Sequence, residues 1–257
     1  VGHGLNGKVP ELIIVKNRDK TYNWAVWSSQ LSSNAHYLFL NNTDSQSNSY
    51  YTFWNNTAPT GSVFSVGANS PDTAGNVNES GDDMVAYCFA NVPGYQRIGS
   101  YTGNGSSTGP VVVTGFKPRF LMIKGDNTSG WVMYDSERDS VNPNNYRLQA
   151  NSSGAESTGD ANTNIDFLDN GFQLKNSDSD SNGSGVTYVY LAIGDDEIGS
   201  DEDCLVDVPN AVTADADATD TTGGYQRGNY ATLNSNVGDT GTTNVTLSNG
   251  NLQYANS

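Results

Sequence analysis

Asp178-Ser179-Asp180-Ser181-Asn182-Gly183 has the spacing of the first half of an oxygen-ligand calcium loop. Alternate acidic or amide side chains point one way, and the glycine allows a sharp turn. Val189 stands where such a loop wants a bidentate glutamate. Asp178, Asp180 and Asn182 therefore make a weak calcium site at most, and a polar hairpin turn is the plainer reading. A second candidate is aromatic: Ser49-Tyr50-Tyr51-Thr52-Phe53-Trp54-Asn55 is the densest aromatic stretch of the chain. Read as a strand, it puts Tyr51 and Phe53 on one face and Tyr50, Thr52 and Trp54 on the other. One face is then core, and the other stacks on a sugar or a neighbouring subunit, as rigid rings with a polar handle do. Tyr50, Tyr51 and Trp54 are the candidate binding residues.

Other chemistry is poorly supplied. Gly105-Ser106-Ser107-Thr108-Gly109 fits G-x-S-x-G, but a nucleophile elbow needs a strand before it and a helix after it. Pro110 and Val111-Val112-Val113 follow instead and predict a strand. His3 and His36 are the only histidines, too few for a His-rich zinc site and ill placed for a Ser/His/Asp relay. Paired carboxylates could serve glycoside hydrolysis, yet among 28 acids pairs arise everywhere, and a pair works only where its surroundings separate the two pKa values. The expectation is a protein without catalytic residues.

The elements that would position these residues are duplicated. Val9-Pro10-Glu11-Leu12-Ile13-Ile14-Val15-Lys16, a polar turn, and Trp24-Ala25-Val26-Trp27-Ser28 are answered by Lys117-Pro118-Arg119-Phe120-Leu121-Met122-Ile123-Lys124, a turn, and Trp131-Val132-Met133-Tyr134-Asp135. Val63-Phe64 answers Gly171-Phe172. Met84-Val85-Ala86-Tyr87 answers Thr187-Tyr188-Val189-Tyr190, and His3 answers Thr114. Order and offset persist, which chance does not produce. Each apolar string is short, rich in Val, Ile, Phe, Tyr and Trp, and bounded by Gly, Asn, Asp and Ser, so each unit reads as β. Trp24 shares a strand face with Val26, and Trp131 with Met133. No long stretch carries a 3.6-residue apolar period. The fold class is all-β: two tandem antiparallel β-sandwich modules, 1–98 and 99–195, joined through Gly99-Ser100-Tyr101-Thr102-Gly103-Asn104-Gly105-Ser106 and each with its own core. Residues 196–257 read as an acidic linker and an extended arm or partial third module, with weak apolar strings at Val245-Thr246-Leu247 and Leu252-Gln253-Tyr254. Gly94-Tyr95-Gln96-Arg97 recurs as Gly224-Tyr225-Gln226-Arg227, outside the register of the repeat.

Composition narrows the partners. The 257 residues carry 28 acids against 12 bases, a net charge of -16, and a pI near 4.1. Sequence-independent nucleic-acid binding needs a basic surface, so no nucleic-acid partner is expected. No apolar run approaches the ~18–20 residues of a membrane span, and no signal peptide is visible at Val1-Gly2-His3-Gly4-Leu5. Val1 and Ser257 are ends of a whole chain or of a piece of one. Cys88 lies in an apolar string and Cys204 in an acidic one, which reads as two free thiols in a reducing compartment.

His3-Gly4-Leu5, Val9-Pro10-Glu11-Leu12-Ile13-Ile14-Val15-Lys16-Asn17-Arg18, Asn23-Trp24-Ala25-Val26, Val85-Ala86-Tyr87-Cys88-Phe89, Gly99-Ser100-Tyr101-Thr102-Gly103-Asn104-Gly105 and Gly115-Phe116-Lys117-Pro118 together resemble a module of tailed-bacteriophage virion proteins, above all marine (cyanophage-type) ones. Leu205-Val206-Asp207-Val208-Pro209 and Gly228-Asn229-Tyr230-Ala231-Thr232-Leu233-Asn234 look like the linker that follows such modules in fibre-like proteins. The resemblance implies a non-enzymatic virion protein, tail-fibre-like and serving host adsorption, with no cofactor beyond weak calcium. Its partners would be other virion proteins, copies of itself in a homo-oligomer such as a trimer, and a host surface glycan. Capsid decoration or a head fibre is the first alternative, a bacterial lectin-like surface adhesin the second, and a depolymerase the third.

Overall fold

The computed structural model describes residues 1–50, 52–67, 75–194, 243–248 and 251–256. They are strands and turns, with helical turns only at 75–77 and at Ala161–Thr163. Residues 1–195 form one compact unit and 196–257 another.

Strand β1 (Leu12–Asn17) is flanked antiparallel by β2 (Ala25–Ser28) and β4 (Met84–Phe89), and β3 (Leu38–Phe39) lies outside β2, giving the order β3-β2-β1-β4. The second copy repeats the plan. Its β7 (Pro118–Gly125) pairs with β8 (Trp131–Asp135) and β12 (Thr187–Gly194), and β9 (Leu148–Gln149) lies outside β8. One strand is added: β5 (Gln96–Thr102) lies on the far side of β12, giving β5-β12-β7-β8-β9. Beneath this sheet run β6 (Val111–Val113), β10 (Ile165–Leu168) and β11 (Gly171–Leu174), in the order β10-β11-β6. In the first copy the bridge between Gly2 and Val63 stands where Val113 pairs with Gly171. The second unit contains a hairpin of β13 (Thr243–Ser248) and β14 (Asn251–Asn256), over the last two apolar strings.

Registers fix the equivalences. Ile13 faces Trp27 as Leu121 faces Tyr134, and Ile14 faces Val26 as Met122 faces Met133. Ile14 faces Tyr87 on its other side, and Met122 faces Leu191. Tyr87 therefore matches Leu191 and Ala86 matches Tyr190, one residue away from the sequence alignment. The correction matters because a one-residue slip exchanges the two faces of a strand.

The apolar strings of β1 and β7 do not alternate, and both faces are buried. One face of the first sheet, with Ile13, Val15, Ala25 and Trp27, packs on Phe53, Trp54 and Phe64. The matching face of the second sheet, with Leu121, Ile123, Val132 and Tyr134, packs on Phe167, Phe172 and Leu174 from the small sheet. The opposite faces meet each other. Leu12, Ile14, Val26 and Leu38 of the first copy join Met122, Trp131, Val189 and Leu191 of the second in a central layer, with Trp24 and Met133 packed against it. Burying each such side chain contributes roughly 1.5–3 kcal/mol. The pairs Trp24/Val26 and Trp131/Met133 do share faces, and those faces are the contact between copies. Trp131 Nε1 donates to the Phe39 carbonyl across it at 2.8 Å, and Ser129 N donates to the Thr43 carbonyl at 3.0 Å.

Two readings are corrected here. Residues 96–102 are the edge strand of the second sheet rather than a linker, so a boundary at 98/99 cuts through β5. Its Gly99 is required: an added Cβ would lie 2.6 Å from Tyr190 Oη. Residues 49, 50 and 52–55 lie in tight turns, not in a strand, with Phe53 N donating to Tyr50 O at 2.9 Å and Asn55 N to Thr52 O at 3.0 Å. Among the described residues no named strand pairs with them: local turns and one bond from Gly67 N to Phe53 O at 3.1 Å satisfy their backbone.

Candidate functional site

The two sequence candidates occupy related places. Bridges join Tyr37 to Ser47 in the first copy and Arg147 to Ser157 in the second. Tyr37 and Arg147 each precede the leucine of the outer short strand, Leu38 or Leu148. The same position thus anchors an aromatic nest in one copy and an ion cluster in the other.

In the second copy Asp178 and Asp180 converge on Arg147. Its Nη1 lies 2.5 Å from Asp178 Oδ2 and 4.0 Å from Asp180 Oδ2. The remaining carboxylate oxygens are also engaged. Asp178 Oδ1 accepts from Asp180 N at 2.8 Å, Asp180 Oδ1 from Gly130 N at 2.8 Å, and Asp180 Oδ2 from Gln149 Nε2 at 3.0 Å. Asn182 does not join them. It is fully buried and ties the loop to residues 104–106, donating to Asn176 O at 2.6 Å and Ser106 O at 2.9 Å while accepting from Asn104 N at 2.9 Å. Two core tyrosines hold the loop from below: Tyr101 Oη donates to Ser181 O at 2.6 Å and Tyr188 Oη to Ser179 O at 2.5 Å. Burial pushes the Tyr188 phenol up to about 12. Among the described residues, no three His, Cys, Asp or Glu side chains converge to hold a metal ion.

Beside this loop Lys124 is buried outright. Its ammonium donates to Gly125 O at 2.7 Å, Asn127 O at 2.8 Å and Ser129 Oγ at 3.2 Å, matching three donors to three acceptors. Burial lowers its pKa to about 8, and the carboxylates of Asp180, Asp126 and Asp44 pull the other way. The first copy keeps the device with Lys16 in the same hairpin, bonded to Asn17 O and Lys20 O. It also keeps the role of Asp180 with a neutral residue: Asn76 Oδ1 accepts from Asn23 N at 3.1 Å.

The aromatic nest of the first copy comprises Tyr37, Phe39, Tyr50 and Phe53. Tyr50 stacks on Tyr37 at 5.5 Å and on Phe53 at 5.2 Å between ring centroids, and it is 39% exposed. Trp54, expected on a binding face, is only 2% exposed and belongs to the first core. Tyr51 lies outside the described residues. The exposed part of the aromatic candidate is Tyr50, on a platform completed by Tyr37. Sequence reasoning missed Tyr37 and Arg147. Their shared signal is the pair Tyr37-Leu38-Phe39-Leu40-Asn41 and Arg147-Leu148-Gln149-Ala150-Asn151. The final Asn of each accepts from the backbone N of the tryptophan that opens the preceding strand region of its own copy, Trp24 or Trp131.

The described region corresponds closely to one recognised unit: residues 1–196 match a domain of unknown function, DUF7483. The chain belongs to the DUF7483 family. No curated protein and no solved structure matches it. Both halves of the duplication, both candidate sites and the layer between the halves fall inside the DUF7483 domain. Both of its histidines are hydrogen-bonded, His3 both within its turn, where its Nδ1 accepts from Leu5 N at 3.2 Å, and across to residue 60. His3 Nε2 lies 2.9 Å from Thr60 O, and His36 Nδ1 lies 2.8 Å from Ser33 Oγ. The G-x-S-x-G loop runs into β6, so the DUF7483 domain does not place that serine on a strand-to-helix elbow. Cys88 is a half-buried free thiol with its pKa raised by burial, and Cys204 lies outside the described residues. No helix among the described residues is long and apolar enough to cross a membrane.

Proposed function

We propose that the chain is a structural and interaction protein of a phage particle, tail-fibre-like, whose work is adsorption to the host surface. The observation that carries this reading is the fused pair: two copies of one β unit locked back to back by a shared apolar layer, inside a chain of net charge -16. Such a block supports display at a distance, because it is stiff and soluble and repels its neighbours at long range. The resemblance to virion modules points the same way. Tyr50 on its platform is the group for a host glycan, since sugars stack on exposed aromatic rings held from behind. Assembly with further copies and with other virion proteins supplies the attachment to the particle.

Antibody labelling of intact particles by electron microscopy tests the assignment. Label on the tail is the expected result. Label spread over the head would replace it with capsid decoration or a head fibre, and absence from particles would reject both. Within the adsorption reading, Tyr50→Ala should reduce attachment to host cells while changing stability by only about 1 kcal/mol, because the ring is partly exposed. Adsorption counts and thermal melts on the same variant check both halves of that statement.

A further inference from the structure

β4 and β12 hold the same place in the two copies and have different surroundings. β12 has a strand on each side, β7 and β5. β4 has β1 on one side and, among the described residues, no strand on the other. The contrast shows in burial: Tyr87 is 48% exposed and Ala86 is exposed with it, whereas Tyr190 and Leu191 at the matching positions are 3% and 5% exposed. Glu11 N donates to Phe89 O and Arg18 N to Asp83 O. In an antiparallel ladder, alternate residues turn to the same side. The odd-numbered residues of β4 therefore face β1, and the N–H and C=O groups of Met84, Ala86 and Cys88 point outward. The matching groups in β12 meet Tyr101, Gly99 and Arg97 of β5. β4 also lacks the usual protection of an edge: Met84–Phe89 contains no charge and no proline, and its register with β1 has no bulge.

We propose that the outer edge of β4 is a docking edge for an extended segment of another polypeptide with the chemistry of β5. The segment runs antiparallel to β4, carries basic rather than acidic charge, and has a branched aliphatic residue followed three positions later by a tyrosine. The second copy supplies the argument for the occupant. There Ile98 stands opposite Leu191 and enters the central layer, and Tyr101 stands opposite Tyr188 and enters the core beneath. Carried over to β4, the aliphatic residue covers the exposed Tyr87 and the tyrosine reaches the first core beside Met84. β5 must have glycine opposite Tyr190, for want of room. Ala86 at that position leaves space for a larger side chain. The basic residue, Arg97 in β5, suits a chain of net charge -16. Main-chain pairing gives such strand addition its affinity, and the alternate side chains give it selectivity. The proposal stands apart from the virion reading, because it rests only on the comparison of the two copies.

The test uses the full chain and a synthetic peptide of residues 94–104, with a scrambled peptide as control. Binding is followed by tryptophan fluorescence, and backbone amide exchange by NMR. The expected result is saturable one-to-one binding that protects the amides of Met84, Ala86 and Cys88. Ala86→Pro removes an outward N–H without touching the ladder to β1, and Ala86→Lys adds a charge to the edge. Each should weaken binding at least about tenfold, with circular dichroism confirming the fold of the lysine variant. No binding to the unmodified chain overturns the proposal, as does binding that Ala86→Lys leaves intact. A chain that is a dimer, that Ala86→Lys converts to a monomer and that the peptide does not affect would overturn it in favour of a second copy at this edge.

Discussion

Arg147 decides how the acidic loop behaves. Its guanidinium neutralises Asp178 and Asp180, and all three side chains are mostly shielded, at 15–22% exposure. Removing one partner leaves carboxylates with little water and no countercharge. Arg147→Met should therefore cost about 2–4 kcal/mol, measured by urea unfolding. Because every carboxylate oxygen already has a donor, calcium at millimolar concentration should leave the melting temperature of the unmodified chain unchanged. Lys124 gives a pH signature. Its folded pKa is about 8 against an ordinary 10.5, so between those values the unfolded chain holds a proton that the folded chain has lost. Stability then rises with pH from about 8, by at most about 1.4 kcal/mol per pH unit from this group. Above pH 10 the buried tyrosines, whose folded pKa values are raised, reverse the trend. Unfolding scans at pH 7, 8, 9 and 10 should show the rise, and Lys124→Met should flatten it. The spacing of Asp178 and Asp180 was legible in the sequence and brought them together. Arg147 was not, because it comes from a different strand and its counterpart in the other copy is a tyrosine.

Strands and their order were readable because short apolar strings between turn residues have few other ways to bury themselves. Which strand belonged to which sheet was less readable. Residues 96–102 hold one glycine, Gly99, with Gly94, Gly103 and Gly105 close by, a linker-like composition, and only the pairing with β12 makes them a strand. Gly99 is part of that pairing, and Gly99→Val should cost about 1–3 kcal/mol by forcing Tyr190 from its place. Thermal unfolding and loss of near-ultraviolet tyrosine signal would report it together. The aromatic run at 49–55 was misread because a period of two can be written over any sequence of seven. What decides strand or turn is whether a neighbouring strand pairs along the segment, and among the described residues only the bond from Gly67 N to Phe53 O reaches it from a distant part of the backbone.

The central layer makes the two copies one folding unit. Leu191 lies in it at 5% exposure, and Leu191→Ala should lower stability by about 2–4 kcal/mol while residues 1–195 still unfold in a single calorimetric transition. Two separated transitions would mean that the copies are independent. The unbroken apolar strings Leu12-Ile13-Ile14-Val15 and Phe120-Leu121-Met122-Ile123 already pointed to strands covered on both sides. The sequence could not tell what covered the second side, since a face that meets its own duplicate looks like any other core face. Equivalent residues of both copies contribute to this layer: Ile14 and Met122, Val26 and Met133, Trp24 and Trp131 lie in it or pack against it. A contact built from the same patch on both partners is that of a twofold dimer. Because the copies are joined in one chain, the patch stays covered whatever each half does elsewhere, and the halves differ at the matching position, with rings around Tyr37 in one and charge around Arg147 in the other.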